Sequence, residues 1–264
     1  MSSLRNFIDK KRNTGEKLLS IYLTAGFPTE AATVPLLKTI VKSGADFIEL
    51  GVPFSDPLAD GPTIQNASQV ALQNGMTLSK TLRLLQEFTE KNSAPVLLMG
   101  YANPFLHFGW EKFLDHARQS GAGGLIIPDL PPEESEQLCQ MANARGLDLI
   151  FLIAPNTPKE RLTLIDRQTT AFIYAVSLTG VTGARDSLPE KSKIFLQNLR
   201  KTVSHPILTG FGISNAETAR GVAPYCDGVI VGSAIIREIA KNPDPQAARD
   251  AVGKLVEQIK TALR

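Results

Sequence analysis

The feature that most constrains this chain is a regular alternation. Short apolar runs and longer segments of helical period succeed one another, about thirty residues per unit, over all 264 positions. Strands are expected at 18–24, 46–50, 95–100, 124–128, 147–153, 171–177, 207–210 and 227–231. Each is short, apolar, and closed by Gly, Pro or a polar turn. Helical spacing fills the intervals. In 30–43, for example, Ala32, Leu36, Leu37, Ile40 and Val41 share a face before Ser43-Gly44 ends the run. Strands that are apolar throughout and separated by helices make a parallel sheet covered on both faces. Eight of them in a chain of this length favour a single (β/α)8 TIM barrel over an open doubly wound sheet. Leu4, Phe7 and Ile8 fall on one side of an extra N-terminal helix. Gly232-Ser233 opens a short extra helix after the eighth strand, before the closing helix at 246–263. No linker, charge block or low-complexity stretch interrupts the chain, so 1–264 reads as one domain.

Composition narrows the classes of function. Hydrophobic residues make up 43%, enough for one large core without metal or disulfide. A net charge of +2, scattered along the chain, makes no claim on nucleic acid or membrane. Cys139 and Cys226 lie far apart, and His107, His116 and His205 lack ligand spacing, so no disulfide framework and no metal site are expected. No run is long enough to span a membrane, and the N-terminal stretch is amphipathic rather than secretory. A cytoplasmic setting is therefore expected.

Chemistry is expected in the loops that follow the strands. The stretch 48–61, Ile-Glu-Leu-Gly-Val-Pro-Phe-Ser-Asp-Pro-Leu-Ala-Asp-Gly, carries Glu49 near the end of a buried strand and Asp60 at the far end of a long loop. Alone, Glu49 reads as a rim residue facing water, and Asp60-Gly61 as a turn. Together, a carboxyl in a strand followed by a long constrained acidic loop has the form of an acid–base site. The second long loop, 177–187, is rich in Gly, Ser and Thr. It reads either as a mobile surface loop or as a lid over a ligand. Gly210-Phe211-Gly212 and Gly232-Ser233-Ala234 end the last two strands. Such glycines serve turns, or hold a phosphate on backbone amides after strands seven and eight. The phosphate reading is the stronger, and it needs no Lys or Arg.

These motifs resemble those of the tryptophan synthase α-subunit family. The likeness is carried by 48–61, Tyr174, Gly180-Val181-Thr182-Gly183, Gly210-Phe211-Gly212 and Gly232-Ser233-Ala234, in that order. The resemblance implies aldol-type cleavage of indole-3-glycerol phosphate to indole and glyceraldehyde 3-phosphate. It implies no cofactor in this chain, and a pyridoxal-phosphate β subunit as partner in an α2β2 assembly. By position, Glu49 and Asp60 become the catalytic pair, with Tyr174 beside Glu49; a plain core tyrosine is the rival reading of Tyr174. Tyr22, Met99, Tyr101, Ile126, Leu152 and Phe211 would line the indole pocket, or serve ordinary barrel packing. Gly183, Gly212, Gly232 and Ser233 would hold the phosphate. Pro53, Asp56 and Asn103, taken as loop residues, would face the β subunit. Leu178 stands where some relatives carry a basic residue. Two other readings stay open: a different phosphate-binding barrel enzyme, for which no lone strand-end Lys is seen, and a regulatory partner with negligible turnover.

Overall fold

The computed structural model describes residues 3–176, 189–210 and 212–264. Within them run nine parallel strands: β1 (Leu18–Thr24), β2 (Phe47–Gly51), β3 (Val96–Met99), β4 (Gly124–Ile126), β5 (Asp148–Ile150), β6 (Leu152–Ile153), β7 (Ile173–Val176), β8 (Ile207–Gly210) and β9 (Gly228–Val231). They form one sheet in the order β5-β4-β3-β2-β1-β9-β8-β7-β6. β5 pairs with β4, β6 pairs with β7, and only Phe151 separates β5 from β6. One extended segment therefore changes partner at Phe151 and closes the sheet into a TIM barrel. The fifth expected strand is present, but its switch of partner divides it in two.

Side chains alternate across each strand. Leu19, Ile21 and Leu23 of β1, with Ile48 and Leu50 of β2, face the helices and join the outer core. Leu18, Phe47, Leu97, Ile126, Phe172 and Leu208 fill the barrel interior. The N-terminal helix, Ser3–Asn13, adds Leu4 and Ile8 to that interior. Both are fully buried, each contributing about 1.5–3 kcal/mol of apolar burial. Their neighbours Leu18 and Phe47 lie at strand starts, so this helix plugs the end of the barrel where the strands begin. The opposite end, where the strands finish, is left for chemistry.

Several local expectations change. A helix at Ala102–Phe108 directly follows β3, so Asn103 is helical and not in a loop. In the sequence, Thr157-Pro158-Lys159-Glu160 reads as a helix start with Thr157 as N-cap, but no Thr cap forms there. Thr157 Oγ1 accepts from the Ala154 amide at 3.0 Å, and the helix Lys159–Gln168 starts after Pro158. Ser214-Asn215-Ala216-Glu217 reads in the sequence as a capping box, but the box sits one residue later, between Asn215 and Thr218. The two closing helices are Ser233–Lys241 and Pro245–Ala262. Among the described residues, no helix is long and apolar enough to cross a membrane.

Candidate active site

Glu49 is the middle residue of β2 and faces the barrel interior, level with Tyr22 on β1 and Leu97 on β3. It is 0% exposed. Its Oε1 accepts a hydrogen bond from Ser20 Oγ at 2.8 Å. Its Oε2 is buried with no partner among the described residues. Loss of water disfavours the charged form, and burial pushes the carboxyl up to about 8, against a smaller lowering by Ser20. Near neutrality Glu49 holds its proton.

Asp60 comes from the loop after β2 and is half-buried. Its Oδ2 accepts from the Tyr101 hydroxyl at 2.9 Å. That hydroxyl in turn accepts from the Ala59 amide at 3.1 Å, tying the loop to the end of β3. Burial raises Asp60 to about 6, with the Tyr101 bond acting in the opposite sense. Asp60 is thus drier than an open loop carboxylate, yet ionised at neutral pH.

The two carboxyls share one environment. Tyr22 and Tyr174 are buried, and each hydroxyl is raised by loss of water and by the charges of both Asp60 and Glu49. Glycines make room for these rings. A Cβ on Gly51 would stand 2.2 Å from the Tyr22 hydroxyl, and one on Gly210 would stand 3.0 Å from that of Tyr174. Ile126, Leu152 and Met99 belong to or pack on the same inner core. Tyr101 is buried and packs in a tilted arrangement against Phe54 of the loop, with ring centroids 5.4 Å apart.

At the neighbouring strand ends, Gly212 has a positive φ of 70°. Gly232 precedes the helix Ser233–Lys241, in which Ile236 N–H is bonded to Gly232 O at 3.2 Å. The amides of Ser233, Ala234 and Ile235 are those a helix leaves without an intrahelical acceptor. Of the expected partner-facing residues, Asp56 and Asn103 are exposed and Pro53 is buried. Gly183, Phe211, Leu178 and the rest of the 177–187 loop lie outside the described residues. Among those described, no cluster of three or more His, Cys, Asp or Glu could hold a metal.

Two features escaped the sequence. Ser20 in a strand carries no signal of its own. Tyr101 shows no sign of bonding Asp60 across 41 positions of chain.

A family model described as tryptophan synthase alpha chain matches residues 8–264. The chain belongs to the tryptophan synthase alpha chain family. A relative of that name from Carboxydothermus hydrogenoformans is 45% identical, over 97% of this chain and 96% of its own. One from Aromatoleum aromaticum is 43% identical, over 100% and 97%. Among solved structures, tryptophan synthase subunit alpha from Legionella pneumophila matches with TM-score 0.92 at 36% identity, covering 100% of this chain and 98% of that one. A tryptophan synthase structure from Mycobacterium tuberculosis also matches, with TM-score 0.92 at 33% identity, covering 100% and 98%. Membership makes the chain an enzyme of tryptophan biosynthesis.

Proposed function

We propose that the chain is a carbon–carbon lyase that cleaves indole-3-glycerol phosphate to indole and glyceraldehyde 3-phosphate. The observation that carries this reading is the pairing of a fully buried, protonated Glu49 with a half-buried, ionised Asp60 on common tyrosine neighbours. Cleavage at indole C3 needs both forms at once. Glu49 gives its proton to C3, and positive charge grows on the ring nitrogen, where the Asp60 carboxylate stabilises it or holds the N1 proton. The C3–glycerol bond then breaks. Its electron pair returns to the ring, the hydroxyl carbon becomes an aldehyde, and the hydroxyl proton goes to Glu49. Glu49 ends as it began. Tyr22, Tyr101 and Tyr174, with Met99, Ile126 and Leu152, wall the indole, and the amides at Ser233 with Gly212 and Gly232 take the phosphate.

None of these steps calls on a cofactor in this chain. The indole passes to a pyridoxal-phosphate β subunit, in an α2β2 assembly in the cytoplasm, across a face that includes Asp56 and Asn103. The test is indole release from indole-3-glycerol phosphate, with and without β subunit. Turnover by the parent and its loss by about a thousandfold in Glu49→Gln are expected. A chain inactive in both conditions that still stimulates the β reaction would instead be a regulatory partner.

A further inference from the structure

β1 reaches Glu49 through a hydroxyl. Ser20 faces the barrel interior and is fully buried. Tyr22 shares the level of Glu49, so Ser20 lies one step deeper on the same face. Its Oγ donates to Oε1 at 2.8 Å, while Oε2 has no partner among the described residues. The other groups around this carboxyl do not compete for Oε1. Tyr22 on β1 and Tyr174 on β7 feel the charge of Glu49. Asp60 acts on both tyrosines from the loop after β2, and its Oδ2 is bonded to Tyr101. The register neighbour from β3 is Leu97, which has no polar side-chain atom.

A carboxyl that accepts a hydrogen bond at one oxygen carries its proton best on the other. We propose that Ser20 is a positioning residue that fixes Oε1 as the carbonyl oxygen of Glu49 and so makes Oε2 the oxygen that gives the proton to the substrate and takes it back. An apolar residue at position 20 would let the carboxyl rotate about its last torsion and exchange the two oxygens. The inference rests on Glu49 being the proton carrier, and Ser20 itself touches no reacting atom. It also gives the fully buried Ser20 a role that packing alone does not.

The test follows the protonated carboxyl by infrared titration of the ligand-free full chain, with the band assigned by its loss in Glu49→Gln. In Ser20→Ala the midpoint should move up by about one pH unit, because the hydrogen bond favours the ionised form. Ser20→Thr, which keeps the hydroxyl, should restore it. In the cleavage assay, the basic limb of kcat/KM should move with the infrared midpoint, and kcat should fall about tenfold with KM little changed. An unchanged midpoint in Ser20→Ala, or a shift that Thr does not reverse, overturns the proposal. The infrared arm needs no turnover, so failure of the parent to cleave the substrate would refute the proposed reaction while the role of Ser20 is still decided.

Discussion

Glu49 and Asp60 are both raised by burial, and depth separates them. Between about 6 and about 8, Asp60 is ionised while Glu49 keeps its proton. The expected kcat/KM profile is a bell with limbs near those values. Tyr101→Phe should move the acid limb upward, because it removes the donor that favours ionised Asp60. An acid limb that stays in place in this variant would contradict the assignment. Stability carries a second signature. The Glu49 carboxyl is raised from 4.5 to about 8, so the folded protein keeps a proton that the unfolded chain releases. Stability from this group is therefore lost as pH rises from about 4.5 to about 8, and the loss is complete above that. Glu49→Gln should match the parent near pH 4 and exceed it at pH 9, by at most about 5 kcal/mol. Urea unfolding at the two pH values measures this, and an equal difference at both would be inconsistent with a buried proton.

The strand ends and the helix after β9 set the shape of the site. Gly51 leaves room for the Tyr22 ring. Gly51→Ala must displace that ring, at about 1–3 kcal/mol and with a larger loss of turnover than of stability. Normal turnover in this variant would remove Tyr22 from the pocket wall. At the helix Ser233–Lys241, Ser233→Asp places a negative charge beside the amides assigned to phosphate. KM should rise about tenfold with kcat nearly kept, and an unchanged KM would move the phosphate elsewhere. The sequence made part of this legible. Glu49 and Asp60 could be read because a carboxylate in an apolar strand, followed by a long acidic loop, is costly without a purpose. Asn103 was misplaced because the helix Ala102–Phe108 is too short to show a clear period. Thr157 looked like a cap, but its hydroxyl bonds back to Ala154, a choice set by the turn and not by residue type. The contacts of Ser20 and Tyr101 are made across strands, where local pattern says nothing.

The barrel as a whole is held at its closed end. The N-terminal helix plugs the interior with Leu4 and Ile8. Lys260 of the C-terminal helix reaches Asp46, just before β2, at 2.6 Å, and Asp46 also accepts from the Leu19 amide at 2.8 Å. Both terminal helices are thus tied to the end of the barrel where β1 and β2 begin. If 1–264 is one domain, unfolding should be a single cooperative transition, and Leu4→Ala should lower its free energy by about 2–5 kcal/mol. Two separate transitions would contradict that reading. The eight extended segments and their parallel arrangement were legible because apolar runs and helical periods alternate without a break; the ninth strand comes from the division of 147–153. The change of partner at Phe151 was not, because nothing in 147–153 marks where β4 is left for β7. The measurement that decides the account is a crystal structure of the chain bound to an indole carrying an uncleavable three-carbon phosphate tail. Glu49 Oε2 should face C3, Asp60 should accept from the ring N–H, and the phosphate should rest on the amides at Ser233. A ring reached by only one of the two carboxyls would contradict it.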